Sequence, residues 1–345
     1  MNIGFKTINK NTPVFIIAEL SANHNGSLDI ALETVRAAKR AGADCIKLQT
    51  YTADTITINS RKDDFLIKGT LWNGKNLYEL YQEAFTPWEW HQEIKKVAEE
   101  EGLILLSSPF DATSVDFLED LGVPAYKIAS FEITDIPLIE YVASKGKPVI
   151  ISTGIAAKDD IRLALDTCYK VGNRDVILLK CTSSYPAPIE EANMIMVRDF
   201  AEEFDVVPGL SDHTMGVIVP VTATCFGAKV IEKHFILDRS IGGPDASFSM
   251  NEEEFKEMVT AVRLVEKAIG KVDYQLTVKQ KEGRAFSRSL YVVKDVKKGD
   301  MVTADNVRSI RPGFGLHPKY LKNILGKLFN KDVEKGDSVK WEDIE

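Results

Sequence analysis

The stretch VFIIAELSANHNG at residues 14–26 begins with five apolar residues and ends in a polar turn. Seven more short apolar runs follow before residue 270, separated by helical patterns. The eight runs are VFIIA from Val14, CIKL from Cys45, LILL from Leu103, AYKI from Ala125, PVII from Pro148, VILLK from Val176, VVPGL from Val206 and KVIEK from Lys229. Nearly all-apolar runs are typical of parallel strands covered on both faces. Eight strand–helix units in about 250 residues predict an α/β fold, a TIM (β/α)8 barrel, because doubly wound sheets usually have fewer strands.

The end of this alternating pattern defines a second, smaller domain. Asn251 and Glu254 form a capping box at the start of the last helix, and Gly270 is a stop signal. We predict a barrel over residues 1–272, a polar linker over 273–283 and a small β-rich domain over 284–345. The small domain contains a repeat, since KDVKKGDMVTADNV from Lys294 and KDVEKGDSVKWEDI from Lys331 are identical at seven of 14 positions.

The composition excludes several classes of function. The chain has 345 residues and a formal charge of -8, which disfavours binding to nucleic acids and anionic membranes. Its apolar segments are too short to span a bilayer. The four cysteines, Cys45, Cys168, Cys181 and Cys225, lack a CxxC spacing, so we expect reduced and mostly buried thiols. These features are typical of a soluble cytoplasmic protein.

Polar side chains follow almost every apolar run, at the end of the strands where a TIM barrel carries its active site. They include Lys47, Ser108, Lys127, Ser130, Glu132, Ser152, Lys180, Ser183, Tyr185 and Ser211. Any one serine could simply cap the next helix, and either of Lys47 and Lys127 could reach solvent. Their repetition at one barrel mouth predicts a pocket for phosphate and carboxylate groups.

Two histidines, His213 and His234, end adjacent predicted strands. Either histidine alone would more often be a packed or surface residue. Together, with Glu19, Asp212 and Asp245 expected nearby, they predict a site for a divalent metal such as Mn²⁺, which would polarise a carbonyl group.

An aromatic-rich segment follows the second run, between Leu71 and Trp90. Helical spacing explains most of its apolar residues, so we interpret it as core packing, with a substrate lid as the alternative.

Eight motifs resemble the sialic acid synthase family over essentially the whole chain. They are AELSANHNG at Ala18, IKLQTY at Ile46, SSPFD at Ser107, YKIAS at Tyr126, GLSDHT at Gly209, IEKHF at Ile231, GGPD at Gly242 and RPGFGL at Arg311. The resemblance implies a TIM barrel followed by an antifreeze-like (SAF) domain. It also implies a transferase that condenses phosphoenolpyruvate with an amino-sugar aldehyde, using Mn²⁺ or, as alternatives, Mg²⁺ or Co²⁺.

The resemblance assigns roles to matching positions. Phosphoenolpyruvate would be held by Lys47, Ser108, Lys127, Ser130, Ser152, Ser183 and Ser211. The metal would be bound by His213 and His234, and the catalytic group would be Glu19, Glu132 and His234. Glu19 would position water or act as a base, and Glu132 would handle a sugar proton. The sugar would contact Tyr185, Asp245 and Arg311, the last from a partner subunit, which implies a homodimer with a swapped SAF domain.

Departures from the sialic acid pattern concern the acceptor. Family members that use N-acetylmannosamine typically read Glu-Ile-Gly in the first motif and have Asn where this chain has Ser183. Here the first motif reads Glu19-Leu20-Ser21. Together with CTSSYPAP at Cys181 and LWNGKNLYELYQEAFTPWEWH at Leu71, this motif is most similar to those of family members that make pseudaminic acid from 2,4-diacetamido-2,4,6-trideoxy-altrose.

Other functions stay open at this point. The chain could form N-acetylneuraminate or legionaminate from a different amino-sugar aldehyde. Lys180, at the end of the sixth run, could serve a Schiff-base aldolase. A non-catalytic carbohydrate-binding protein is a further alternative.

Overall fold

The computed structural model of the chain describes residues 1–69, 72–185 and 187–345, so Leu71 of the aromatic-rich segment lies outside the described residues. The chain divides into two compact units, Met1–Gly270 and Lys271–Glu345. In the described part of the chain, no helix combines the length and the apolar character needed to cross a bilayer.

The first unit contains a closed barrel of eight parallel strands, which confirms the predicted fold. A short hairpin, β1 (Asn2–Ile3) and β2 (Lys6–Thr7), precedes it. The barrel strands are β3 (Phe15–Glu19), β4 (Cys45–Thr50), β5 (Ile104–Pro109), β6 (Tyr126–Ile128), β7 (Val149–Ser152), β8 (Val176–Cys181), β9 (Val207–Asp212) and β10 (Val230–His234). Each predicted run overlaps one strand, and β10 pairs with β3 to close the barrel.

Helices connect the barrel strands, and most of them pack on the outside of the barrel. They are α1 (Leu28–Arg40), α2 (Ala53–Ile56), α3 (Leu77–Ala84), α4 (His91–Glu100), α5 (Ala112–Leu121), α6 (Ile136–Ser144), α7 (Lys158–Lys170), α8 (Ile195–Phe204), α9 (Ile218–Cys225) and α10 (Glu252–Ile269). The predicted capping box is present in α10, where the Asn251 and Glu254 side chains each accept a hydrogen bond from the other residue's backbone N–H.

Two layers of apolar residues show how each strand divides its side chains. In β3, Ile16 and Ala18 belong to the cluster under the helices, whereas Phe15 and Ile17 belong to the cluster inside the barrel. Successive side chains of a strand point to opposite faces. The inward series therefore continues to Glu19, at the carboxyl end of the strand.

The second unit has α11 (Val278–Gly283), β11 (Ser289–Val292), β12 (Val307–Ile310) and α12 (Leu321–Ile324). Helix α11 falls within the residues predicted as a linker. The sequence repeat forms a pseudo-symmetric pair, in which Val296 and Val333 exchange two backbone hydrogen bonds of 3.0 Å. The backbone N–H groups of Lys298 and Lys335 each donate to the aspartate of the opposite repeat, Asp332 and Asp295.

Candidate active site

A cavity of about 340 Å³ opens at the carboxyl ends of the barrel strands. Twelve of the predicted site residues line it: Glu19, Lys47, Lys127, Ser130, Glu132, Ser152, Ser183, Tyr185, Ser211, His213, His234 and Asp245. Ser108 is not among the lining residues, but it accepts a hydrogen bond of 3.3 Å from Lys47 Nζ. Arg311 lies in the second unit and is exposed.

Strand alternation explains this convergence. In β4, Cys45 packs inside the barrel and Ile46 outside, so Lys47 and Gln49 follow the inward series. The same alternation in β10 turns Glu232 and His234 towards the cavity that both residues line.

Four buried charged groups form the floor of the cavity. Lys47 Nζ lies 2.5 Å from Glu19 Oε2 and 3.9 Å from Glu232 Oε2, while Lys127 Nζ lies 3.9 Å from Glu232 Oε1. Burial raises the pKa of Glu19 to about 7 against the opposing effect of Lys47. Burial also lowers the pKa of Lys127. Such a cluster is costly to bury unless its charges compensate one another or meet a ligand.

Hydroxyl and amide groups beside the lysines complete an anion pocket. Gly154 N–H donates to Ser130 Oγ at 3.1 Å, and a Cβ at Gly154 would lie 2.0 Å from Ser183 Oγ, so a larger residue here would displace the Ser183 hydroxyl group. Ser152 Oγ is buried without a hydrogen-bond partner among the described residues. A buried hydroxyl left unpaired is costly, which is explained if a ligand supplies its partner.

The histidine pair provides nitrogen donors at the same mouth. The rings of His213 and His234 are 5.3 Å apart, and His213 Nδ1 lies 3.1 Å from Thr182 O, so an Nδ1–H tautomer leaves Nε2 as an electron-pair donor. His234 Nδ1 has no hydrogen-bond partner within the described part of the chain, and burial holds the pKa of His234 well below its usual range. Two imidazoles, one of them neutral and unpaired, fit a divalent ion.

The metal site would need water or substrate to complete it. No group of three or more His, Cys, Asp and Glu side chains could hold a metal ion within residues 1–69, 72–185 and 187–345. Asp212, expected near the histidines, instead forms a buried ion pair of 2.5 Å with Lys233. Asp245 Oδ2 lies 3.8 Å from His234 Nδ1.

Glu132 is a carboxyl group with properties suited to proton transfer near neutral pH. It ends a short 3₁₀ turn after β6, and its Oε2 atom is buried with no hydrogen-bond partner in the described structure. Burial raises the pKa of Glu132 to about 7. A catalytic acid or base works best with a pKa near the operating pH.

The aromatic-rich segment divides into two parts. Trp72, Leu80 and Tyr81 line the cavity, and the Trp72 ring lies 5.9 Å from that of Tyr185. Trp88 and Trp90 instead pack against Phe117 and His24, with ring distances of 4.8 and 5.4 Å. The core interpretation thus holds for the later part, and the earlier part forms a wall of the cavity.

Several cavity residues were given no role by the sequence, although Gln49 and Glu232 are among the polar residues at the strand ends. Glu232 bridges the two lysines, and Gln49 Nε2 donates to both Glu19 Oε1 and Ser21 Oγ at 2.9 Å. Cys181 lies 3.8 Å from His213 Nδ1. The period-two pattern shared with Lys47 and His234 is the signal that could have found Gln49 and Glu232.

Lys180 does not line the main cavity, and the RPGFGL motif belongs to the second unit. Lys180 lines a separate depression with Met196 and Phe200, and its Nζ donates to Cys181 O at 2.9 Å, which gives no support to a Schiff base in the main cavity. In the RPGFGL motif, Cβ atoms at Gly313 and Gly315 would lie within 2.6 Å of the backbone oxygens of Arg284 and Leu290. The glycines therefore allow this motif to pack closely on its own unit.

Comparisons with known proteins identify the family and the two domain types of the chain. A model of the NeuB family matches residues 34–274, and one of the SAF domain matches residues 287–345. The chain is 49% identical over 344 residues to the pseudaminic acid synthase of Campylobacter jejuni serotype O:23/36, covering 100% of both chains. It is 37% identical to the N,N'-diacetyllegionaminic acid synthase of Legionella pneumophila, covering 99% of this chain and 98% of that protein. The crystal structure of the spore coat polysaccharide biosynthesis protein SpsE of Bacillus subtilis is similar, with a TM-score of 0.69, 34% identity and coverage of 100% of this chain and 99% of that one.

Proposed function

The chain belongs to the NeuB family, and on that premise we propose that it condenses phosphoenolpyruvate with 2,4-diacetamido-2,4,6-trideoxy-altrose to give pseudaminic acid and phosphate. The observation that carries this proposal is the 49% identity to a pseudaminic acid synthase over the full chain, against 37% to a legionaminic acid synthase. The cavity supports it with cationic and hydroxyl groups for an anion beside an imidazole pair.

The reaction forms one carbon–carbon bond and breaks one carbon–oxygen bond. C3 of phosphoenolpyruvate attacks the aldehyde carbon of the open-chain sugar, whose oxygen takes a proton and becomes a hydroxyl group. Water adds to the resulting cation at C2 and gives up a proton. The new C2 hydroxyl group then loses its proton as the C2–O bond to phosphate breaks, which leaves a 2-keto acid and releases phosphate, and the proton passes to the phosphate or to solvent.

The anion pocket would hold phosphoenolpyruvate. Lys47 and Lys127 supply positive charge, and the hydroxyl groups of Ser130, Ser152, Ser183 and Ser211 supply donors. Ser108 would act through Lys47, to which it is hydrogen-bonded. The unpaired Ser152 hydroxyl has the strongest structural reason to bind the ligand, because a partner would remove the cost of its burial.

The sugar would be held where Tyr185 and Asp245 lie beside the imidazole pair, which we call the sugar side of the cavity. The Tyr185 ring lies 4.5 Å from that of His213, and Asp245 Oδ2 lies 3.8 Å from His234 Nδ1. Glu132 can exchange a proton near neutral pH, and Glu19 can accept one from water. Tyr185 and Asp245 would contact the sugar. His213 and His234 would hold the divalent metal, which supplies Lewis-acid polarisation of the aldehyde when bound; we propose Mn²⁺.

Phosphate release tests the proposal. The purified chain is incubated with phosphoenolpyruvate and either the diacetamido-trideoxy-altrose or N-acetylmannosamine, with Mn²⁺ or with EDTA. We expect metal-dependent release with the first sugar only. Release with N-acetylmannosamine alone would overturn the acceptor and keep the reaction type. Absence of release with both sugars would contradict the proposed activity.

A further inference from the structure

We propose that Ser21 is a positioning residue of the active site, whose hydroxyl group fixes Asp245 and Gln49 at the sugar side of the cavity. The inference rests on the proposed function, because it assumes that Asp245 contacts the acceptor sugar. It concerns a position that neither the anion pocket nor the imidazole pair includes.

The hydrogen bonds of Ser21 connect three separate segments. Its Oγ donates to Asp245 Oδ2 at 2.5 Å and accepts from Gln49 Nε2 at 2.9 Å. Gln49 also donates to Glu19 Oε1 at 2.9 Å. Ser21 is only 4% exposed, and it joins β4 to the loop after β10. A small hydroxyl group is thus the common partner of two longer side chains.

The backbone at Ser21 adds an independent observation. Its φ is 45°, in the left-handed region that favours glycine. The residue lies in a tight turn in which Asn23 N–H donates to Leu20 O at 3.0 Å. A side chain in this conformation is unfavourable relative to glycine and persists where the surrounding structure enforces it. The chain therefore keeps a less favourable residue at this turn, and the hydroxyl is what the residue contributes to the cavity.

The consequence concerns the acceptor more than phosphoenolpyruvate. Without the Ser21 hydroxyl, Asp245 Oδ2 keeps two long contacts among the described residues, one of 3.5 Å with Ala22 N and one of 3.8 Å with His234 Nδ1. Asp245 would then sample more than one orientation beside His234. Lys127 and Ser152 of the anion pocket have no hydrogen bond to Ser21 in the described structure, and Lys47 is connected to it through two intervening side chains, Gln49 and Glu19. Phosphoenolpyruvate binding should therefore change less than acceptor binding.

Two substitutions separate the hydroxyl group from the backbone. Ser21→Ala removes the hydroxyl and keeps a Cβ in the left-handed turn, whereas Ser21→Gly removes both. We expect each variant to lose roughly tenfold or more in kcat/KM for the acceptor, mainly through KM, as for a lost hydrogen bond to a charged group. KM for phosphoenolpyruvate should change less than about twofold. The Tm of Ser21→Gly should exceed that of Ser21→Ala by about 2–4 °C.

The outcomes distinguish this inference from the proposed function. Unchanged acceptor kinetics in both variants would overturn the positioning role, as would equal increases in KM for the acceptor and for phosphoenolpyruvate. A Tm of Ser21→Ala equal to or above that of Ser21→Gly would overturn the backbone argument. If the wild-type protein does not use the acceptor, the proposed function fails, and with it the assumption that Asp245 binds this sugar; the Tm order still decides the backbone argument.

Discussion

Single carboxyl groups in this cavity have properties that follow from burial. Glu132 follows β6 on a short turn, and burial raises the pKa of Glu132 to about 7 from an ordinary value of 4.5. Its position after a strand is readable from the sequence. The lack of a hydrogen-bond partner for Glu132 Oε2 in the described structure depends on side chains from other segments, and it cannot be read from the sequence.

Glu132→Gln should change how stability depends on pH. A raised pKa in the folded state stabilises the fold fully below pH 4.5, and this contribution is lost as pH rises through 7. Glutamine does not titrate, so the stability of the Glu132→Gln variant does not decrease in this way as pH rises. Relative to wild type, it should therefore gain about 1–3 kcal/mol in free energy of unfolding between pH 5.5 and pH 8. Urea unfolding at both pH values measures the difference, and a constant difference would contradict the raised pKa.

Ser152 and Lys47 should respond differently to substitution. Ser152→Ala removes an unpaired hydroxyl, so we expect a change in stability within about 0.5 kcal/mol and a KM for phosphoenolpyruvate that rises roughly tenfold. Lys47→Met leaves Glu19 and Glu232 buried without their shared partner, and should cost about 3–5 kcal/mol in stability. Thermal unfolding and steady-state kinetics on both variants provide the comparison. An unstable Ser152→Ala would show that this hydroxyl has a structural role.

At the scale of elements, two buried histidines attach the segment between β4 and α4 to the barrel. Thr86 Oγ1 lies 3.2 Å from His24 Nε2, and Thr50 Oγ1 lies 2.9 Å from His91 Nε2. His24 Nδ1 accepts from Gly26 N–H, and His91 Nδ1 lies 3.2 Å from Pro87 O. Both rings are thereby suited to the neutral form.

Acid should weaken this attachment. Burial lowers the pKa of His24 and of His91 to about 4 from 6.5. A lowered pKa stabilises the fold above pH 6.5, and the contribution is lost as pH falls through 4. We expect the wild type to lose free energy of unfolding relative to His91→Gln as pH falls from 7 to 5. The opposite effect of Glu132 is common to both proteins and cancels in this difference. Tryptophan fluorescence, to which Trp88 and Trp90 contribute, can follow the transition; an equal pH dependence in both proteins would contradict the assignment.

The helices and strands could largely be predicted from the sequence. Which segments line the cavity and which pack in the core could be predicted only in part. All eight strands follow from apolar runs, because burial on both faces leaves a clear pattern. The division of the aromatic-rich segment could not be predicted, because Trp72 and Trp88 are the same residue type in similar aromatic surroundings of the sequence. The left-handed turn at Ser21 is equally hidden, because serine gives no signal for that conformation.

At the scale of the whole molecule, the proposed homodimer has a direct test. We propose that Arg311 of a second copy completes the sugar side of the cavity. His234→Ala and Arg311→Ala chains should each be nearly inactive. After subunit exchange, the mixture should recover up to about one quarter of wild-type activity, because mixed dimers have one complete site. A mixture as inactive as the separate variants would contradict the swapped arrangement.

The repeat in the second unit makes that unit indivisible. Each copy satisfies backbone groups of the other: Val296 with Val333, Lys298 with Asp332 and Lys335 with Asp295. Val296 and Val333 are buried, and an unpaired backbone group there would be costly, whereas the two lysine–aspartate contacts are exposed; neither copy therefore has a complete set of partners by itself. A chain shortened to end at residue 330 would lose the contacts between the two copies. We therefore expect the second unit to unfold as one cooperative element.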